Sequence, residues 1–112
     1  SGMDMGGMDM GNMTMMSQAA MIPPELANDP AAKGYAAAMD KMMASMMVPY
    51  TGNPDVDFAR GMIPHHQAAI DMAKVQLEFG TDPEIRKVAE EVIKAQEAEI
   101  AMLQAWLAAK GM

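Results

Sequence analysis

The soft chemistry in this sequence is carried by sulfur without thiols. Of the 112 residues, 17 are methionine, none is cysteine, and the two histidines, His65 and His66, are adjacent. Without thiols there is no disulfide frame, no thiolate metal site and no cysteine nucleophile. A soft ion must be met by thioethers, which are neutral, suit Cu(I) and are not lost to disulfide formation. Such a donor set fits an oxidising, extracytoplasmic compartment.

The donors fall into three groups. In residues 1–21, Met3, Met5, Met8, Met10 and Met13 are spaced by Gly, Asp and Asn, and the unit Gly2-Met3-Asp4-Met5-Gly6 nearly repeats as Gly7-Met8-Asp9-Met10-Gly11. No helical or strand period is present, so the segment reads as a flexible leader that captures metal. A second group, Met39, Met42, Met43, Met46 and Met47, falls at helical spacing within an arc of about 140°. A methionine stripe usually packs a core. This one contains no Leu or Ile, which favours metal binding by some members and packing by others.

The third group is Met62, His65, His66 and Met72, around Pro64. A proline at that position removes one helical hydrogen bond and predicts a kink or break beside Gly61 that opens space at the histidines. Neighbouring helical residues point about 100° apart. One histidine is therefore expected to bind metal while the other hydrogen-bonds or serves a second site.

Three helices must position these groups. Asp29-Pro30, Asn53-Pro54 and Asp82-Pro83 each combine an N-capping side chain with a proline at the first helical position. Val48-Pro49 ends the first helix, Gly80 supplies a left-handed C-cap after the second, and Gly111 closes the third. The predicted spans are 30–48, 54–79 and 83–110, joined by short loops that enforce antiparallel neighbours. The third helix carries an apolar stripe of Ile85, Val88, Ala89, Val92, Gln96, Ile100, Leu103 and Leu107, with Arg86 among the residues turned outward. The expected fold is all-α: an antiparallel bundle of three main helices over residues 30–112, preceded by the Met-rich leader and linker of residues 1–29. Helices of unequal length cover each other incompletely, so homodimerisation or docking of the segment from Ile22 to Asn28 would complete the core.

Levelling the two hairpins brings Met39 opposite Met62 and His65 opposite Glu97. Met42, Met43, Gln96, Glu99 and Met102 then come within reach of one level of the bundle. Metal donors from all three helices are expected there.

The formal charge of -7 rules against a nucleic-acid partner, which calls for a basic surface, and attracts cations. No apolar run is long enough to span a membrane. The chain opens Ser1-Gly2 without an initiator methionine, as expected of a processed end. Catalysis is short of parts. The Glu-x-x-His repeats of carboxylate-bridged di-metal bundles are absent, and Ser1, Ser17 and Ser45 lack a convincing His/Asp setting.

Tyr35 with Met39 and Met42, the run Phe58-Ala59-Arg60-Gly61-Met62-Ile63-Pro64-His65-His66-Gln67-Ala68-Ala69-Ile70-Asp71-Met72-Ala73, Gln96-Glu97-Ala98-Glu99-Ile100 and Trp106-Leu107 together resemble the CopM-like family of copper-binding proteins, long catalogued as a domain of unknown function. The resemblance spans about residues 30–110. It implies a helical bundle in the periplasm or a similar exported compartment, and copper tolerance through sequestering the ion or handing it on. It points most directly to Met62, His65, His66 and Met72. The expectation is thus a non-enzymatic Cu(I) binder, with a copper exporter, an oxidase or another metallochaperone as its partner. Ag(I) would mimic Cu(I) at thioethers, and the histidines with the acidic leader offer Cu(II) a place. The competing reading is a Met-rich module that grips apolar protein partners without metal.

Overall fold

The structure, a computed structural model, describes residues 17–112. Met3, Met5, Met8, Met10 and Met13 of the leader, and the flexibility expected of it, lie outside the described residues. Two short 3-10 turns, Gln18–Met21 and Pro24–Leu26, lead into α1 (Pro30–Ser45), α2 (Pro54–Phe79) and α3 (Pro83–Ala109). The described chain is all-helical, as expected of the antiparallel bundle.

The N-terminal caps form as the sequence predicts. Asp29 accepts from the Ala32 N–H, Asn53 from Asp55 and Val56, and Asp82 from Glu84 and Ile85, each before a proline at the first helical position. These contacts satisfy amides that have no partner inside the helix.

Three local expectations change. First, α1 stops at Ser45. The Met46 N–H is shared between the Met42 and Met43 carbonyls, at 3.0 and 3.3 Å, and the Met47 N–H turns to Ala44. The helix tightens into a 3-10 turn because Val48 precedes a proline and resists the helical conformation. Met46 is the C-cap and Met47 lies beyond it, so the helical sulfur stripe shrinks to Met39, Met42 and Met43.

Second, Gly80 is extended, with φ -79° and ψ 156°, rather than left-handed. Arg86 takes over the capping. Its guanidinium folds back from α3 and donates to the carbonyls of Leu77 and Gly80 at 2.7 and 2.9 Å, so it is not turned outward. A Cβ at residue 80 would lie 2.6 Å from the Gln76 carbonyl oxygen, which is why a glycine stands there. Gly111 does adopt the left-handed conformation, at φ 74°.

Third, the break expected at Pro64 is absent, and α2 continues as one helix through the proline. Buried residues on both sides of the proline, Val56 and Ala59 before it and Ala68 and Ile70 after it, hold the helix by tertiary packing.

Helix α2 lies in the middle, with α3 along one side and α1 along the other. Among the described residues the buried core is thin: Ala36, Ala38, Ala59, Ala68, Ala73 and Ala89 with only Val56, Ile70 and Leu107. Alanines let the helices approach closely, and the larger apolar side chains are left toward the faces. Gly34 serves the same end, since a Cβ there would lie 2.9 Å from Val75. The main cluster, Val56, Ala59 and Leu107 with Ile63, Leu103 and Trp106, fastens the start of α2 to the end of α3.

The result is flat. The extents are 50 × 43 × 15 Å and the radius of gyration is 17.3 Å, against about 13 Å for a compact chain of 100 residues. The segment before α1 does not thicken it across α2 and α3. Ser17 Oγ and the Gln18 N–H both donate to the Asp40 carboxylate at 2.7 Å, and Gln18, Met21, Ile22 and Pro23 close a hollow against Ala32, Tyr35, Ala36 and Met39 of α1. That docking covers the flank of α1 alone.

Candidate metal site on the second helix

Successive positions of α2 sort its side chains by chemistry. Phe58, Met62, His65, Ala69, Met72 and Gln76 fall within an arc of about 80° at helical spacing. The opposite side carries Arg60, Gln67 and Lys74. Within the arc Met62 is half-buried, His65 is exposed, and Met72 and Phe58 are 40% and 65% exposed. A thioether and an imidazole three residues apart, Met62 and His65, share one helical surface.

His66 turns away, as adjacent helical positions must. Its side chain is only 12% exposed, and its Nε2 lies 2.6 Å from Glu99 Oε1 of α3. That nitrogen is committed to the carboxylate, whereas His65 faces solvent. The two rings do not converge on one point.

The His66–Glu99 contact also sets the register of the seam. Because α3 runs antiparallel to α2, Met102, one turn beyond Glu99, comes level with Met62. Its side chain is 62% exposed. Met62 and His65 thus share one surface of α2, and Met102 of α3 is about level with Met62 along the seam. On the other side of Glu99, Gln96 Oε1 is buried without a hydrogen-bond partner.

The sulfurs of α1 do not join this level. Lys41 Nζ lies 3.6 Å from Asp71 Oδ2, and Gly34 packs against Val75, so Met39 comes level with Met72 and Ala73 rather than with Met62. The expected level assumed a helix to residue 48 and a tight turn. Instead Met46–Asn53 is non-helical, and Asp57 fastens its end by accepting from the Thr51 N–H, the Thr51 hydroxyl and the Gly52 N–H. The Thr51 amide, foremost among these contacts, holds the Asp57 carboxyl below its usual pKa.

The remaining sulfurs are dispersed. Met39 lines the hollow shared with Met21, and Met72 lines a second hollow with Tyr35, Ile85 and Val88. Met42 is half-buried, while Met43 and Met46 are 44% and 40% exposed. Met21 was not singled out from the sequence. Its neighbour Met39 belongs to a separate element, and no spacing announces that contact. Among the described residues no three His, Cys, Asp or Glu side chains gather in a way that would hold an ion. A metal bound there must draw on sulfur or on fewer hard donors.

The family described as "Domain of unknown function (DUF305)" matches residues 55–112, just over half of the chain. The chain belongs to the DUF305 family. The matched part of this DUF305 protein holds Met62, His65, His66, Met72, Glu99 and Met102, whereas α1 and its sulfurs precede it. No curated protein matches the chain. Among the described residues no helix is long and apolar enough to cross a membrane.

Proposed function

We propose that this DUF305 protein is an exported, CopM-like copper-binding protein that sequesters Cu(I) or passes it on, and is not an enzyme. The observation that carries the reading is that Met62 and His65, a thioether and an imidazole three residues apart, share one accessible surface of α2, with the exposed Met102 of α3 about level with Met62. Soft sulfur with a neutral imidazole suits Cu(I), and Ag(I) by the same chemistry. Cu(II), which favours nitrogen and oxygen ligands, finds fewer suitable donors there.

Each remaining group has a place in this reading. His66, held by Glu99, is a positioning residue that keeps the α2–α3 register and with it the spacing of Met62 and Met102. Met72, Met42, Met43, Met46 and Met39 offer further thioethers along the same molecule, and the leader methionines add a capture segment, so several ions per chain are expected. The copper would pass to or from an exporter, an oxidase or another metallochaperone, in support of copper tolerance.

The test is an anaerobic Cu(I) titration against a competing chelator, on the full chain and on a Met62→Leu/His65→Ala variant. Competitive uptake that falls in the variant supports the reading. No uptake by the full chain would overturn it, and uptake unchanged in the variant would remove the site from α2.

A further inference from the structure

Met21 and Met39 come from separate elements and line one hollow, between the first 3-10 turn and α1. Their register is fixed by Asp40, the residue after Met39, whose carboxylate accepts from Ser17 Oγ and the Gln18 N–H at 2.7 Å. Gln18 is thereby pinned at the level of Asp40, and the residues after it line the hollow with Ala32, Tyr35 and Ala36, so the turn runs antiparallel along α1. Three residues of 3-10 helix and four of α-helix each rise about 6 Å, which brings Met21 about level with Ala36. A methionine on an α-helix leans toward the helix N-terminus, so the Met39 side chain leans toward that same level. Apart from Gln18 and Tyr35 the lining is apolar, and no basic side chain takes part in it. Met21 is 74% exposed, which leaves its sulfur open to an ion from solvent, and Met39 is half-buried. Both residues precede the family match, which therefore assigns them nothing.

We propose that Met21 and Met39 form a second soft-metal site, a thioether clasp in which one monovalent ion, Cu(I) or Ag(I), joins the N-terminal turn to α1. The choice of ion rests on the copper reading above, but the clasp shares no donor with the Met62 and His65 surface. Two neutral sulfurs suit a soft ion. The Asp40 carboxylate beside the hollow favours a cation there. A ligand that needs both elements in place stabilises the docked arrangement over the undocked one. Because the leader ends at this turn, the clasp also anchors the base of the leader to the bundle.

The experiment is an NMR titration of the full chain, with isotope-labelled methionine methyl groups, by Ag(I) in chloride-free buffer. Silver is the probe because it matches Cu(I) at thioethers and is not oxidised in air. The methyl signals of Met21 and Met39 should move together along one binding curve, and the Gln18 amide should exchange more slowly with solvent as they saturate. Met21→Leu, at an exposed position, should raise the midpoint of the Met39 curve at least tenfold, and Met39→Leu should do the same to Met21. Met62→Leu/His65→Ala should leave both curves in place. If Met39 titrates unchanged in Met21→Leu, if Gln18 exchange is unaffected, or if neither methyl moves while that of Met62 does, the clasp is overturned and the copper reading stands. If no methionine methyl in the chain moves, both fall together.

Discussion

The α2–α3 hairpin and the α1 region are built from similar helical parts but held by different means. The hairpin has the Val56–Ala59–Leu107 cluster, the His66–Glu99 contact across the seam and the Arg86 cap at its turn. Helix α1 touches α2 through alanine, Gly34 and one Lys41–Asp71 pair, in which the lysine is 63% exposed. It holds the docked N-terminal turn through Asp40. The family match begins where the hairpin begins. Thioethers occur in both regions, but both histidines lie in the hairpin, and His66 ties its two helices together through Glu99.

The sharpest way to break this contrast is through the core. Leu107→Ala removes a buried side chain from the main cluster and should cost about 2–3 kcal/mol in urea unfolding. In a thin core that is a large share of total stability. Met42→Leu on α1, which preserves volume, should cost under about 1.5 kcal/mol. Equal losses would mean that the hairpin is not the stable half.

The donor comparison is next in size. Met62→Leu/His65→Ala should weaken Cu(I) binding at the bundle site at least tenfold, about 1.4 kcal/mol. Met42→Leu/Met43→Leu should change it less. The reverse order in a chelator competition would move the site to α1. The N-caps follow, because removing an Asp cap costs about 1 kcal/mol. Asp82→Ala should lower the stability of the whole hairpin, whereas Asp29→Ala should mainly fray α1. Hydrogen exchange, read helix by helix, separates these outcomes.

Much of the fold is legible in the sequence because caps and prolines act locally. Asp29, Asn53 and Asp82 start the helices where their side chains can meet free amides, and α2 has the boundaries that its cap and following glycine predict. The donor arrangement is less legible because it depends on register. Three helical residues lost at the end of α1, with a non-helical Met46–Asn53 link, move Met39 from the level of Met62 to that of Met72. The divergence of His65 and His66 follows from helical geometry alone, but Glu99 as the partner of His66 requires the third dimension. Arg86 shows the same limit. Its charge and position suggest an outward face, yet the open carbonyls at the end of α2 draw it back across the turn.

The smallest effect concerns the α1 region alone and turns on pH. The Asp40 carboxyl is held below its ordinary pKa, first by the hydrogen bond from the Gln18 amide and then by the Ser17 hydroxyl. An aspartate whose folded pKa is depressed contributes its stabilisation in full above the unfolded value of about 3.9 and loses it as pH falls through the folded value. The N-terminal turn should therefore stay docked at neutral pH and loosen from α1 below the usual aspartate range. The Gln18 amide, followed by NMR, should shift in that acid window and exchange faster with solvent. Asp40→Asn should loosen the turn at neutral pH and flatten the Gln18 titration, with the resonances of Glu99 and Leu107 unmoved. If the seam resonances moved with Gln18, the two regions would be one cooperative unit, and the division between a fixed hairpin and a loosely tied α1 would fail.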